Sequence, residues 1–441
     1  MKNLLVAQSG GPTAAINATL AGILERAFES PEIERVYGAD FGIQGVLQER
    51  FLDLTEIVPA LVREEFGETE DAETLEAGTL RILDRLSTTP AAALGSCRYK
   101  LKDPAVDSSE FERLIEIFRA HDIGYFVYIG GNDSMDTVYK LSEFIRARGI
   151  TDIQVIGAPK TIDNDLFGID HCPGFGSAAK YIAASMAELE RELVVYDTPY
   201  VIIVELMGRN AGWLTAAAAL AKDRNSRVPY LIYLTEVPFD ITSFIEDVRA
   251  ELKTDRCVMV AVSEGIRDRS GCMLCEYSSL NETAGKSGYG GAGGLDAFGH
   301  KIASGAARVL EHAVQQNIGC KVRAIELNLL QRCAGHLLSE TDIRESQELG
   351  RQAVSLALAG KNGSMSSLRR VKSARGYAVE YLPADIREIA NREKCVPREW
   401  INSDGNGVTE ECLDYLRPLV QGELRSDFED GVPRYVLLRK R

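Results

Sequence analysis

Two carboxylates one residue apart follow a lysine and a threonine in Pro159-Lys160-Thr161-Ile162-Asp163-Asn164-Asp165. Side chains at i and i+2 of an extended loop point the same way, so Asp163 and Asp165 face one volume. One such carboxylate can take a proton from a hydroxyl while the other meets a metal ion, and Lys160 can neutralise phosphoryl oxygens. An Asp- and Asn-rich turn is the plainer account of the same residues. The Pro-Lys-Thr run directly after an apolar stretch favours chemistry.

Other segments carry the same double reading. In Ser9-Gly10-Gly11-Pro12-Thr13 the paired glycines let backbone N–H groups approach a phosphate at a helix N-terminus, although a tight turn needs them equally. Arg98, in Leu94-Gly95-Ser96-Cys97-Arg98, is either a phosphate clamp or a solvated arginine. Asp133, in Gly130-Gly131-Asn132-Asp133-Ser134, caps a helix, holds a metal ion or repels an unwanted anion; the window alone favours the cap. Arg209, within Glu205–Gly212, stands where a substrate phosphate or sugar hydroxyl would be met, and Glu264 offers a hydroxyl-accepting carboxylate. Arg323 and Arg332 flank one apolar run and suit a bidentate grip on a sugar phosphate. Exposed surface charge is the alternative for each of these last groups.

The elements that must position these residues are βα units. Apolar, β-branched runs predict strands at Asn3–Gln8, Tyr125–Ile129, Ile153–Gly157, Tyr200–Glu205, Tyr230–Tyr233, Val258–Val262 and Val322–Leu327. Helical periodicity follows at Ala15–Glu29, Ser134–Arg148, Ala178–Val195 and Phe244–Leu252. The alternation predicts parallel sheets covered on both faces, with ligands gathered beyond the C-terminal strand ends. Past Gly360 the pattern predicts further helical material, including Thr409–Leu416, and a last strand at Tyr435–Leu438.

Composition narrows the partners. The 441 residues suffice for two or three domains, and the net charge of -15 argues against nucleic acid or an anionic membrane as a general partner. No run has the length of a membrane span, and the short apolar Leu4–Ala7 does not suit a signal peptide. Nine scattered cysteines point to a reducing compartment; Cys272 and Cys275 form a lone CxxC without a second pair, which favours structural thiols over zinc. The glycine-rich stretch Glu282–Gly299 reads as a mobile or tightly turning loop. Its Ala284-Gly285-Lys286-Ser287 is not a P-loop, because Leu280 stands where that motif needs glycine.

Taken together, the glycine pair after the first strand, GGNDS at Gly130–Ser134, PKTIDND at Pro159–Asp165, MGR at Met207–Arg209, SEG at Ser263–Gly265 and QR at Gln331–Arg332 resemble the phosphofructokinase family in order and spacing, over roughly Asn3 to Gly335. The resemblance implies an α/β chain of two doubly wound, Rossmann-like βα domains with the site in the cleft. Residues 1–174 would hold the donor-phosphate site and 175–332 the sugar-phosphate site, with 333–441 a return segment and C-terminal helical extension packing on both. It also implies phosphoryl transfer to the 1-hydroxyl of fructose 6-phosphate, with Asp163 as general base and Lys160, Asp133 and Thr161 beside it. Substrate contacts implied are Gly10, Gly11, Arg98, Thr161, Ile162, Asp163, Asp165, Met207, Gly208, Arg209, Glu264, Arg323 and Arg332. Mg2+ would lie near Asn132, Asp133 and Asp165.

The donor turns on Asp133. In ATP-using members the matching residue is usually glycine, which leaves room for the α-phosphate; a carboxylate fills that space and opposes the anion. Lys160 occurs in pyrophosphate-using members, but some ATP users also carry PKTIDND. Pyrophosphate is therefore the expected donor, with an ATP-dependent enzyme and a silent sugar-phosphate sensor as alternatives. Three departures stand out: Asn132 where the family usually has aspartate, Tyr200 where short bacterial enzymes have arginine, and Leu329 where His or Tyr is usual. A cytoplasmic homodimer or homotetramer is expected.

Overall fold

Apolar strands that need cover on both faces build two sheets. The computed structural model describes residues 1–67, 71–222, 226, 228–279, 304–374 and 376–439. Strands β1 (Lys2–Gln8), β2 (Ile33–Ala39), β3 (Phe51–Asp53), β4 (Ile123–Gly130) and β5 (Gln154–Pro159) join two later strands, Ser364–Arg370 and Val379–Asp385, in one seven-stranded sheet. β1 lies between β2 and β4, parallel to both, so the order in which strands are added reverses beside it, β2 and β3 to one side and β4 and β5 to the other. Successive residues of these strands serve opposite cores. Leu5, Ala7, Phe126 and Tyr128 enter one, while Leu4, Val6, Val127 and Ile129 enter the other. That double burial is why the strands read as unbroken apolar runs.

The second sheet is wholly parallel, in the order β7 (Tyr230–Tyr233), β8 (Cys257–Ser263), β6 (Tyr200–Leu206), β9 (Lys321–Glu326). It divides its residues in the same way, Ile202 and Val204 to one core and Val201 and Ile203 to the other. A helix over Phe175–Leu193 leads into it. This helix starts earlier than its periodicity suggests because Asp342, far along the chain, accepts the N–H groups of Gly174 and Ser177 at 2.8 and 2.9 Å.

Two expectations for the C-terminal part are corrected. The predicted helix is present at Glu410–Leu416, but strands that the pattern does not predict precede it: Ser364–Arg370 runs parallel to β5 and is paired by Val379–Asp385. The buried serines Ser366 and Ser367 hid that strand from an apolar-run search. Tyr435–Leu438, in turn, is not a strand. Val436 and Leu438 are buried against the first sheet's core, and the Val436 N–H goes to the Thr89 hydroxyl at 3.1 Å rather than to a ladder. The predicted loop at Glu282–Gly299 lies outside the described residues. Among the described residues no helix is long and apolar enough to cross a membrane.

Candidate active site

The C-terminal ends of β1, β4, β5, β6 and β8, with the turn Asn328–Arg332 after β9, converge on a cleft of about 270 Å³. Gly10, Gly11, Arg98, Asn132, Asp133, Lys160, Thr161, Ile162, Asp163, Asp165, Met207, Arg209, Glu264 and Arg332 all line it. Gly208 lies just behind, donating its N–H to Glu264 at 3.3 Å. Arg323 does not converge with Arg332. It is exposed in mid-strand on β9 and bonded to Tyr200, whereas Arg332 sits in the turn beyond the strand's end.

The loop after β5 is held by its own polar atoms. Lys160 N–H bonds Gly130 O at 2.9 Å, and the Thr161 hydroxyl accepts the Asp163 N–H at 3.1 Å. Between the two carboxylates Asn164 adopts φ 54°, a left-handed conformation that asparagine tolerates. Its buried amide donates to the Tyr415 hydroxyl at 2.9 Å. Asp163 is half-buried and lines the cleft. Burial, and then the neighbouring Asp165, raise its carboxyl well above the usual range, against the pull of Lys160, Arg209 and Arg332. One Asp163 carboxylate oxygen has no hydrogen-bond partner. Asp165 is also raised, first by burial and then by Glu393.

Across the cleft the cations gather around the glycine pair. Gly10 turns with φ +75°, and its N–H goes to Cys97 O at 3.1 Å while Ser96 Oγ grips its carbonyl at 2.6 Å. Lys160 is almost wholly buried, donates to Gly11 O at 2.6 Å, and is brought down to about 8 by desolvation. The Arg332 guanidinium stands beside Gly11, close enough that a Cβ there would lie 2.8 Å from Nη1. Arg98 and Arg332 each oppose the charge on Lys160. Lys160, Arg98 and Arg332 thus bring three positive charges to one end of the cleft, an arrangement that suits a polyanion.

The wall formed by the loops after β6 and β8 is built on close packing. Gly265 lets the Arg209 carbonyl approach so closely that a Cβ would lie 1.9 Å away. Burial and Asp163 push the Glu264 carboxyl up to about 8, and the buried Nε atoms of Arg209 and Arg332 have no partner. Asp133 is not the helix cap. Gly131, in extended conformation, takes that position, and Asp133 falls in the first turn of Asn132–Ala147 with its side chain 3.7 Å from Lys100 Nζ. Asn132 Nδ2 donates to Asp165 at 2.9 Å, leaving the buried Asn132 Oδ1 unpaired. Glu393, which also lines the cleft, escaped sequence reasoning, because Ala390–Glu393 reads as an ordinary charged turn.

The phosphofructokinase family model matches residues 3–357. The chain belongs to the phosphofructokinase family. It is 39% identical to the pyrophosphate–fructose 6-phosphate 1-phosphotransferase of Halomonas elongata, over 99% of this chain and 96% of that protein. It is 40% identical to the enzyme of the same name from Xanthomonas campestris, again over 99% and 96%. The crystal structure of the pyrophosphate-dependent phosphofructokinase from Nitrosospira multiformis superposes with a TM-score of 0.82 at 35% identity, covering 99% of this chain and 96% of that one. The two sheets and the cleft between their strand ends are thus the family's framework, and the residues of the matched motifs line that cleft.

Proposed function

We propose that this phosphofructokinase reversibly transfers a phosphoryl group from pyrophosphate to the 1-hydroxyl of fructose 6-phosphate. The carrying observation is that Asp163, a carboxylate poised by burial, and Lys160, a desolvated ammonium, share one cleft with the carboxylate of Asp133 at its donor end. Pyrophosphate would rest on Gly10, Gly11, Arg98 and Lys160. The sugar would lie against Met207, Gly208, Arg209 and Glu264, with Arg332 on its 6-phosphate. Asp163 accepts the hydroxyl proton as the 1-oxygen bonds to phosphorus. The bridging P–O bond breaks, and phosphate departs beside Lys160. Positioning and charge stabilisation supply most of such a reaction's acceleration.

Magnesium fits this site. Asn132 Oδ1 is buried and unpartnered, and Asn132, Asp133 and Asp165 give the oxygen donors a hard cation prefers. Among the described residues no cluster of three His, Cys, Asp or Glu could hold a metal alone, so pyrophosphate oxygens and water would fill the remaining positions. Bound there, Mg2+ would neutralise pyrophosphate charge.

On this reading residues 1–174 carry the donor site and 175–332 the sugar site, with 333–441 packed on both. We read the enzyme as a cytoplasmic homodimer or homotetramer, for which the 57% and 59% exposure of Leu329 and Leu330 beside Arg332 leaves an apolar contact surface. The test is formation of fructose 1,6-bisphosphate from fructose 6-phosphate and Mg2+, with pyrophosphate and ATP supplied in separate reactions. Turnover with pyrophosphate and little with ATP is expected. The reverse preference would assign the chain to the ATP-dependent reaction.

A further inference from the structure

Proton abstraction by Asp163 is useful only if the sugar gripped by Arg209 presents its hydroxyl at the right distance, so the loops carrying these residues must be held in register. Those loops leave different sheets, one after β5 and one after β6. A segment from neither sheet joins them. Glu393 pairs with Leu166 in a short antiparallel bridge, and the Lys394 N–H bonds the Asp165 carbonyl at 2.8 Å. The Lys394 ammonium reaches three more acceptors of the same loop: Asn164 Oδ1 at 3.3 Å, Ile169 O at 3.2 Å and Asp170 O at 2.7 Å.

The other side of the segment holds the second loop. Asn210, the residue after Arg209, donates its amide to Glu393 at 2.9 Å, and its carbonyl lies 3.6 Å from Cys395 Sγ. Trp213 Nε1 donates to the Lys394 carbonyl at 2.9 Å. Glu236 accepts the N–H groups of both Gly212 and Val396, at 2.8 and 2.9 Å. All four residues, 393–396, lie beyond the 3–357 span of the family model.

We propose that Glu393 and Lys394 form a clasp that positions the acceptor loop of Asp163 against the sugar-binding loop of Arg209. Both are positioning residues, and the proposal rests on the roles given above to Asp163 and Arg209. The clasp sets the alignment of hydroxyl and base, and none of its bonds involves Gly10, Gly11 or Lys160 of the pyrophosphate cradle.

A double-mutant cycle in the full chain tests this. Glu393→Ala and Asn210→Ala each remove one end of the 2.9 Å bond. Each should lower kcat about tenfold, the scale of a small misalignment, with the KM for pyrophosphate within about twofold of wild type. The double variant should be no slower than the slower single variant. Glu393→Gln, which keeps an acceptor oxygen, should recover most of the rate. Unchanged kcat in either single variant, a double variant slower by the product of the two, or Glu393→Gln as slow as Glu393→Ala would each overturn the clasp. Should Glu393→Ala lose its cooperative melting transition, Glu393→Asp, too short to span the gap, replaces it in the cycle. Asp163→Ala is run alongside. Retained turnover there would overturn the base assignment, whatever the cycle gives.

Discussion

Replacing Asp133 with glycine should shift donor choice towards ATP. The carboxylate stands in the first turn of Asn132–Ala147, its side chain 36% exposed and 3.7 Å from Lys100 Nζ. A nucleotide α-phosphate placed about 5 Å away would be repelled by about 3 kcal/mol at an effective dielectric of 20, and by about 1 kcal/mol in bulk water. Partial exposure and the Lys100 pairing both place the real value towards the lower figure. Relief of about 1.4 kcal/mol corresponds to a tenfold rise in kcat/KM for ATP. The same change removes an acidic group from a helix N-terminus and inserts glycine, costing about 1 kcal/mol of stability in all. Pyrophosphate activity should fall as well, since Asp133 is one of the oxygen donors proposed for Mg2+. The assay measures kcat/KM for both donors at saturating fructose 6-phosphate, with a melting curve to show that the fold is intact. A donor ratio that stays at the wild-type value in a folded variant would refute exclusion by this carboxylate.

Two further outcomes follow from the cleft's charges. Arg332→Ala should raise the KM for fructose 6-phosphate far more than that for pyrophosphate. A larger effect on pyrophosphate would instead assign Arg332 to the donor, which its place beside Gly11 would then explain. Glu264, raised to about 8 by burial, favours its neutral form in the folded state, so its stabilising contribution is present at low pH and is lost as pH rises through about 8. Substrate-free Glu264→Gln should therefore melt above wild type by a margin that grows from pH 5 to pH 9. After discounting for the open side of the cleft, about 1 kcal/mol is expected at the alkaline end, which for a chain of 441 residues is about 1 °C. A margin independent of pH would show that the carboxyl is not held neutral.

Most of the cleft was legible because parallel strands deliver their functional residues immediately after each apolar run. Gly10, Asp163, Arg209 and Glu264 each stand within a few residues of such a run, and all four line the cleft. What escaped depends on contacts between distant parts of the chain. Glu393 reaches the site through a bridge to Leu166 and has no local signal. The Gly130–Ser134 window by itself favours a cap at Asp133, but extended Gly131 occupies that position and Asp133 falls in the helix's first turn, lining the cleft. Arg323 shares an apolar run with Arg332, yet one arginine lies within β9 and the other in the turn past its end, so proximity in sequence did not become proximity in space. The strand Ser364–Arg370 was hidden by two buried serines: Ser367 donates its hydroxyl to Gly168 O at 2.7 Å, while Ser366 is enclosed by packing with no partner for its hydroxyl.

The account stands most directly on Asp163. Its carboxylate is proposed to take the proton of the 1-hydroxyl, and its raised affinity for a proton, caused by burial and by Asp165, suits that task. The deciding measurement pairs turnover with pyrophosphate against calorimetric binding of fructose 6-phosphate in Asp163→Ala. The expected result is turnover lowered by about 10²–10⁴-fold, with fructose 6-phosphate bound within a few fold of its wild-type affinity. Turnover near the wild-type value in a variant that binds the sugar normally would contradict it.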